Sequence, residues 1–494
     1  MTNSEKKLLA RPGQRNPFDV GVKTSASSAF SKLMSAKAED SAWAAAASEV
    51  ASRGKQAYER TCPFYKILPG FSICVDAFRY GAVEGCNAYF LTHFHSDHYM
   101  GLTANWRHGP IYCSSVTGNL VKQQLKVDPS MIVEIDWDKR VEVVGTGGVH
   151  VTMIPANHCP GSSLFLFEKT VGKGDKPKVH RILHCGDFRA SPEQVQHPLL
   201  RPEIINPTTG EPKRQTIDVC YLDTTYLNPK YAFPSQADVV SACAEKCRAL
   251  NGERPAKRAN GNATSVKMTK YLTESESKAG EQSTPRKERL LVVIGTYSIG
   301  KERICLGIAR ALKSKIYISA AKRRICDCLE DDELSSLLTS DPTEAQVHMH
   351  SLMEIRADTL SDYLNALKPH FTRIAGFRPT GWNYRPPAGR MTDSPAVQSV
   401  LYSDSWKARL TADDLVAQRG SNSESMCFAV PYSEHSSFRE LTMFCCALRI
   451  GRVIPTVNVG SARSRERMKL WVDRWEAEKR KSGLFQIEEG ATCW

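Results

Sequence analysis

Apolar residues in this chain fall into short runs divided by polar turns, and the runs follow two different periods. Stretches at residues 88–91, 149–155, 290–294 and 426–430 are largely apolar or β-branched, 180–184 and 315–319 carry shorter apolar centres, and all predict strands. Residues 301–312 and 437–448 instead space their apolar positions three and four apart, which predicts amphipathic helices. Strands that alternate with helices imply a layered α/β architecture. Two regions break the pattern. Residues 1–25 are polar, and residues 251–287 consist mainly of Ser, Thr, Lys, Glu and Gly, so neither buries enough apolar surface to fold. Between the first of these and the strands, residues 28–53 carry an alanine run at 44–47 and predict a helix of modest amphipathicity that serves as a surface helix or flexible arm.

Composition adds three constraints. At 494 residues the chain exceeds the usual size of a single core, so more than one domain is expected. Its 66 Lys and Arg exceed its 53 Asp and Glu, and a formal charge of +13 steers it toward polyanions. The 16 cysteines include a Cys445-Cys446 doublet and a close Cys326 and Cys328 pair but no CxxC, and with no secretory signal they read as reduced thiols of an intracellular protein. No run approaches ~18 uninterrupted apolar residues, so no membrane helix is expected.

Chemistry concentrates directly after the run at 88–91. There the segment Thr-His-Phe-His-Ser-Asp-His places His93, His95, Asp97 and His98 within six residues of a chain that has only 13 histidines. Imidazole and carboxylate together suit zinc or a similar divalent ion, and alternate positions of an extended loop converge on one centre. Asp97 and His98 diverge from the first pair and can feed a second ion, as in a binuclear hydrolase. Strand ends should supply the missing ligands. Residues 149–155 run into Ala-Asn-His-Cys-Pro-Gly and leave His158 at a turn, while 180–184 end in Cys-Gly-Asp and leave Asp187 in the same setting.

These residues resemble the metallo-β-lactamase fold, and more narrowly its β-CASP nucleases. Val75-Asp76-Ala77 resembles the family's first motif, 93–98 the second, His158 the third and Asp187 the fourth. Leu222-Asp223-Thr224-Thr225-Tyr226 is similar to the β-CASP motif with the acidic residue, and Pro431-Tyr432-Ser433-Glu434-His435-Ser436-Ser437 to the later one with the histidine. Cys62-Pro63-Phe64-Tyr65-Lys66, residues 295–303 and Pro455-Thr456-Val457-Asn458-Val459 are similar to the DNA interstrand cross-link repair exonucleases, and the resemblance covers about residues 61–475. The last motif carries Val457 and Val459 around Asn458 where RNA-processing relatives have a further histidine, which favours DNA. Such relatives often begin with a small zinc finger, but residues 1–60 hold neither cysteine nor histidine, so that module is not expected here and recruitment must work otherwise.

The resemblance implies an αββα sandwich with an inserted α/β β-CASP cap. The expected divisions are an N-terminal arm at 1–60, the lactamase-like domain at 61–235 and 425–494, and the cap at 236–424 with its insert at 251–287. It implies that His93, His95, His158 and Asp187 hold a firmly bound Zn2+. Asp97, His98, His435 and a bridging Asp187 then form a weaker or substrate-assisted second site. Asp76 and Asp223 are cast as residues that fix the ligand histidines, and Asp223 is also a candidate for the second metal.

An exonuclease further needs a pocket for a terminal 5′-phosphate. Tyr297, Ser298, Gly300 and Lys301 lie in a strand-loop-helix setting suited to it, with Ser436 and Ser437 as a second contributor or as ordinary capping residues. On that reading Lys301→Ala lowers preference for a 5′-phosphate. Lys322-Arg323-Arg324 offers a groove for backbone phosphates or a solvated face, and Trp382 a stacking platform or a core residue. The leading expectation is a nuclear, zinc-dependent 5′-to-3′ DNA exonuclease with unknown protein partners. A β-CASP endonuclease acting on hairpins or RNA and a non-catalytic scaffold remain open beside it.

Overall fold

The computed structural model describes residues 41–47, 60–172, 177–205, 210–252, 289–387, 393–492 and 494. The expected arm therefore falls largely outside the described residues, as does nearly all of the insert at 251–287. Of the helix expected over 28–53, residues 41–47 are helical, and Trp43 stacks on Tyr65 at 5.9 Å and meets Phe64 edge-on at 4.5 Å.

Three sheets carry the architecture. The first comprises β1 (Ile67–Leu68), β2 (Ile73–Val75), β3 (Ala88–Phe90), β4 (Ile111–Cys113) and β5 (Ile132–Glu134) in that spatial order. The second takes β6 (Arg140–Glu142), β7 (Val149–Pro155), β8 (Ser163–Val171) and β9 (Lys178–His184). Beyond a separate pair formed by β10 (Glu203–Ile205) and β11 (Pro212–Arg214), it continues with β12 (Val219–Leu222). The third contains β13 (Leu290–Thr296), β14 (Ile316–Tyr317), β15 (Leu338–Thr339), β16 (Val347–Ser351), β17 (Arg373–Pro379) and β18 (Ser425–Val430), all parallel. Last comes β19 (Val453–Pro455), which returns to pair in parallel with β12 at the edge of the second sheet.

Alternation along β3 decides what each face meets. Phe90 points between the first two sheets, stacking on Tyr112 at 4.9 Å and meeting Phe165 and Phe167 edge-on at 5.0 and 4.8 Å. Its neighbours Tyr89 and Leu91 face the opposite core, which runs on into Ile294, Ile304 and Phe428 of the inserted layer. The sandwich and the cap thus share a continuous apolar cluster. After β3 comes the one-turn helix α1 (Ser96–Tyr99), and the cap carries α2 (Gln236–Gly252) and α3 (Glu302–Leu312). These two pack closely because Gly307 lacks a side chain: a Cβ there would lie 2.2 Å from Val240 Cγ1.

Met426–Val430 was expected to belong to the lactamase-like half, with a boundary at 424/425. Instead β18 pairs residue by residue with β17 from Ile374↔Ser425 to Pro379↔Val430, so this strand is the edge of the cap sheet. A fully buried parallel strand has the same apolar signature in either layer, and only the ladder distinguishes them. From Val430 the chain crosses to α4 (Phe438–Ala447), every residue of which is buried. The long helix α5 (Ala462–Ser482) covers it, with Phe438 against Trp471 at 4.7 Å and Trp475 Nε1 donating to Thr442 Oγ1 at 3.2 Å. No helix among the described residues is long and apolar enough to cross a membrane.

Candidate metal centre

Strand ends of the first two sheets and the crossing after β18 bring seven candidate ligands to one place. His93, His95, Asp97 and His98 follow β3, His158 follows β7, Asp187 follows β9 and His435 follows β18. Inward-facing atoms of His93, His95 and His158 lie within 4.8 Å of one another. So do those of His93, His98 and Asp187, and those of His158, Asp187 and His435. His93 Nε2 is 2.9 Å and His158 Nε2 3.1 Å from His95 Nδ1, close to the ~3.3 Å that separates two nitrogens on a tetrahedral zinc. Asp187 is the hub. Its Oδ2 sits 3.8 Å from His93 Nε2, 3.2 Å from His98 Nε2, 4.0 Å from His158 Nε2 and 3.9 Å from His435 Nε2. Asp97 reaches His98 Nε2 at 3.6 Å with its side chain 74% exposed.

What fits this cluster to a metal is the outer edge of each ring. His158 Nδ1 meets the Glu434 carbonyl at 2.8 Å, and His95 Nε2 meets the Ile299 carbonyl at 3.2 Å. A carbonyl only accepts, so each ring donates outward and turns a lone pair toward the centre. His98 Nδ1 is 2.7 Å from Asp76 Oδ2, and His435 Nδ1 is 2.8 Å from Asp223 Oδ2. His93 Nδ1 lies 3.0 Å from Thr92 Oγ1, which itself donates to Asp76. Asp76 and Asp223 hold the histidines from outside, and Asp223 spends its remaining acceptors on Phe188 N, Thr225 N and Thr225 Oγ1. These four contacts suit Asp223 to positioning His435.

Electrostatics agree with a site made for cations. Burial alone would raise Asp187 and Asp76, yet neighbouring imidazoles, His98 foremost, hold both below the usual carboxylate range. Burial pulls His158 down to about 3, whereas at His435 the carboxylates of Asp223 and Asp187 outweigh burial and raise it to about 9. A raised imidazole stabilises the metal-free fold below the unfolded value near 6.5, and this contribution is lost as pH climbs through about 9. A metal must displace that proton, so affinity at the His435 side is expected to increase with pH up to about 9. Chelator competition across that range measures it, and a flat profile would remove His435 from the ligand set. The Cys159 sulfur lies in the same group as His93, His95 and His158, but burial holds the thiol well above its ordinary value.

A cavity of about 360 Å3 opens on the cluster between sandwich and cap, lined among others by Asp97, Tyr226, Tyr297, Ser298, Trp382 and His435. Trp382 is 62% exposed and Tyr297 48%, so Trp382 stands at the mouth and not in the core, propped edge-on by Tyr226 at 5.3 Å. A second cavity of about 330 Å3 reaches Asp97, His98 and Asp187 from the other side, past Lys66 and Asn458.

Most of the other expected phosphate ligands are engaged elsewhere. Lys301 Nζ forms a buried ion pair with Glu434 Oε2 at 2.9 Å, and its backbone N–H donates to Glu434 Oε1 at 2.7 Å. Gly300 donates its N–H to Glu302 at 2.9 Å. Ser436 Oγ bridges Phe188 O and Ala190 N, and Ser437 caps α4 in a reciprocal box with Glu440. Lys322 Nζ ties down the carbonyls of Tyr297 and Ser298 at 2.9 and 2.8 Å, Arg323 pairs with Asp327, and Arg324 is exposed. Glu434 had no assigned role at the level of sequence, and its one signal was an acidic residue directly beside a ligand histidine.

Comparison with known proteins adds an independent line. A family model described as a DNA repair metallo-beta-lactamase matches residues 332–461, and one for the beta-lactamase superfamily domain matches residues 69–236. The DNA cross-link repair protein pso2/snm1 of Schizosaccharomyces pombe is 45% identical over 437 residues, spanning 88% of this chain and 68% of that protein. The DNA cross-link repair protein SNM1 of Arabidopsis thaliana is 38% identical, spanning 84% and 70%. The DNA cross-link repair 1A protein of Homo sapiens is 37% identical over 85% of this chain and 33% of that protein, and the 5′ exonuclease Apollo of Gallus gallus 29% identical over 79% and 63%. With its sandwich, inserted cap and histidine-aspartate cluster for divalent metal, the chain belongs to the Pso2/SNM1 family of DNA cross-link repair proteins, within the metallo-β-lactamase-fold β-CASP nucleases.

Proposed function

We propose that this protein is a nuclear, zinc-dependent 5′-to-3′ DNA exonuclease acting at interstrand cross-links. The observation that carries the reading is the small cavity over the metal cluster, which at about 360 Å3 suits one nucleotide-sized group better than a passing duplex. Kinship with a protein named a 5′ exonuclease supports it, and the names of the nearer relatives support the cross-link context and hence the nucleus.

Zinc bound by these histidines and aspartates would neutralise a phosphate oxygen and lower the pKa of its water toward ~7. Tyr297 and Trp382 offer ring faces on which bases stack, a contact worth about 1–3 kcal/mol per base. Asp97, exposed and bordering both cavities, is the carboxylate available to take a proton from the attacking water. Asp76 and Asp223 keep His98 and His435 turned inward. The second cavity gives the strand beyond the cut a way out, and the same two-sided opening is what an endonuclease would need.

Digestion of 3′-labelled oligonucleotides separates these readings. Wild-type protein should shorten 5′-phosphorylated single-stranded DNA from its 5′ end, with RNA and 5′-hydroxyl DNA cut more slowly, and Asp97→Ala should lose the ladder. Internal cuts would favour the endonuclease. Absence of metal-dependent cleavage would leave a scaffold.

A further inference from the structure

Arg439, the second residue of α4, is an anomaly of charge. It is only 7% exposed, yet it makes no hydrogen bond or ion pair among the described residues, and its Nε is a buried donor without an acceptor. The nearest carboxylates are committed elsewhere. Glu440 is held by Arg189 at 2.9 Å and by Ser437 N at 2.6 Å, and Asp404 pairs with Lys407 at 2.8 Å. Burial accordingly pulls the Arg439 guanidinium below its usual value, and Glu440 and Asp404 offset this only in part. With its Nε enclosed and no counter-charge among the described residues, this guanidinium is disposed to take an anion.

The space for one is present. Arg439 lines a cavity of about 480 Å3 together with Arg189, Arg303, Lys407 and Arg409. Three carboxylates also border it: Glu440 is neutralised by Arg189, and Glu193 and Asp238 are exposed to solvent. Arg189 is spent on Glu440 and on the carbonyls of Ser433 and Pro234, and Arg303, Lys407 and Arg409 are exposed at the rim, so Arg439 is the unpaired charge at the buried end. The cavity is lined by none of the metal-ligand candidates, yet it touches the loops that carry them. Asn157 precedes His158, Arg189 follows Asp187 by two residues and Ser437 follows His435 by two.

We infer that this cavity is a phosphate-binding site separate from the metal centre, with Arg439 as its buried cation and Arg303 and Arg409 at its rim. Guanidinium groups match phosphate oxygens in geometry and charge, and a phosphate lodged here would brace three ligand loops from behind. The phosphate comes either from a free ion or from the backbone of bound nucleic acid.

The test measures binding on the metal-loaded full chain, so it is independent of nuclease activity. Inorganic phosphate, against chloride at equal ionic strength, should bind the wild-type chain by calorimetry. Arg439→Gln should weaken that affinity by about tenfold or more. Arg409→Gln, on the exposed rim where folding is not at stake, should weaken it less and carries the test if Arg439→Gln fails to fold. An oligonucleotide arm identifies the source. If backbone phosphate is the ligand, both variants lose oligonucleotide affinity uniformly across sequences, with a salt slope smaller by about 1. If free phosphate is the ligand, oligonucleotide binding is unchanged while phosphate binding falls. Unaltered affinity for both probes in Arg439→Gln and Arg409→Gln overturns the inference.

Discussion

An Asp187→Asn protein is expected to fold but to lose metal at both ends of the cluster, with affinity down by more than about 100-fold. That exceeds the 10–100-fold typical of removing an outer partner such as Asp223. The reason is position. One oxygen, Asp187 Oδ2, lies within 4.0 Å of four inward imidazole nitrogens, and among the described residues Asp187 is the carboxylate that joins two of the ligand groups. Asparagine keeps the volume and removes the charge, which isolates electrostatics from packing. It also exposes a cost in the metal-free fold, because His98, raised chiefly by Asp187 and Asp76 against burial, would lose one of those two charges and keep only Asp76 and the exposed Asp97 beside it. Metal content after dialysis against graded chelator, with Asp223→Asn alongside, checks both points. If Asp187→Asn retains as much metal as Asp223→Asn, the hub assignment is wrong.

Legibility of this site in the sequence follows covalent distance. His93, His95, Asp97 and His98 lie in one loop after an apolar strand, so spacing alone announces them. His158 and Asp187 became readable as strand-end residues ordered behind that loop, and His435 through the family motif that it resembles. What could not be read is what the cap supplies across space. The Ile299 carbonyl on His95 and the Glu434 carbonyl on His158 are backbone groups that leave no residue-type signature. Ser437 was ambiguous for a local reason, since Ser-Phe-Arg-Glu fits a capping box as well as a phosphate cradle, and the box prevails. Trp382 stands exposed because the turn at Gly381–Asn383 lies over the Tyr226 ring, where a Cβ on Gly381 would sit 2.5 Å from the Tyr226 hydroxyl oxygen. Such a packing relation spans about 155 residues of sequence and has no local pattern.

Glu434→Gln should destabilise the protein by about 3–5 kcal/mol, the range for breaking a buried pair by removing one partner. Glu434 and Lys301 are almost fully buried, and Glu434 accepts from both Lys301 Nζ and Lys301 N. Burial would raise the Glu434 carboxyl, but Lys301 and then His158 reverse this and lower it. The sign is that of a depressed acid: the contribution is complete above the ordinary glutamate value of 4.5 and fades only as pH falls through the lower folded value. Because Lys301 adopts a left-handed backbone (φ 72°) at the start of α3, the pair also holds the cap loop that presents Ile299 O to His95. Loss of the pair should therefore weaken metal binding as well as stability. Lys301→Met tests the alternative of a phosphate ligand. An ion-pair role predicts a lower melting temperature and equal slowing on 5′-phosphate and 5′-hydroxyl DNA. It also predicts that Lys301→Met combined with Glu434→Gln recovers much of the stability lost in either single variant, since no buried charge is then left alone. A phosphate role predicts an unchanged melting temperature and selective loss on the phosphorylated end. Coupled unfolding and kinetic measurements on the three variants decide between them, and a selective loss without destabilisation would return Lys301 to the phosphate pocket.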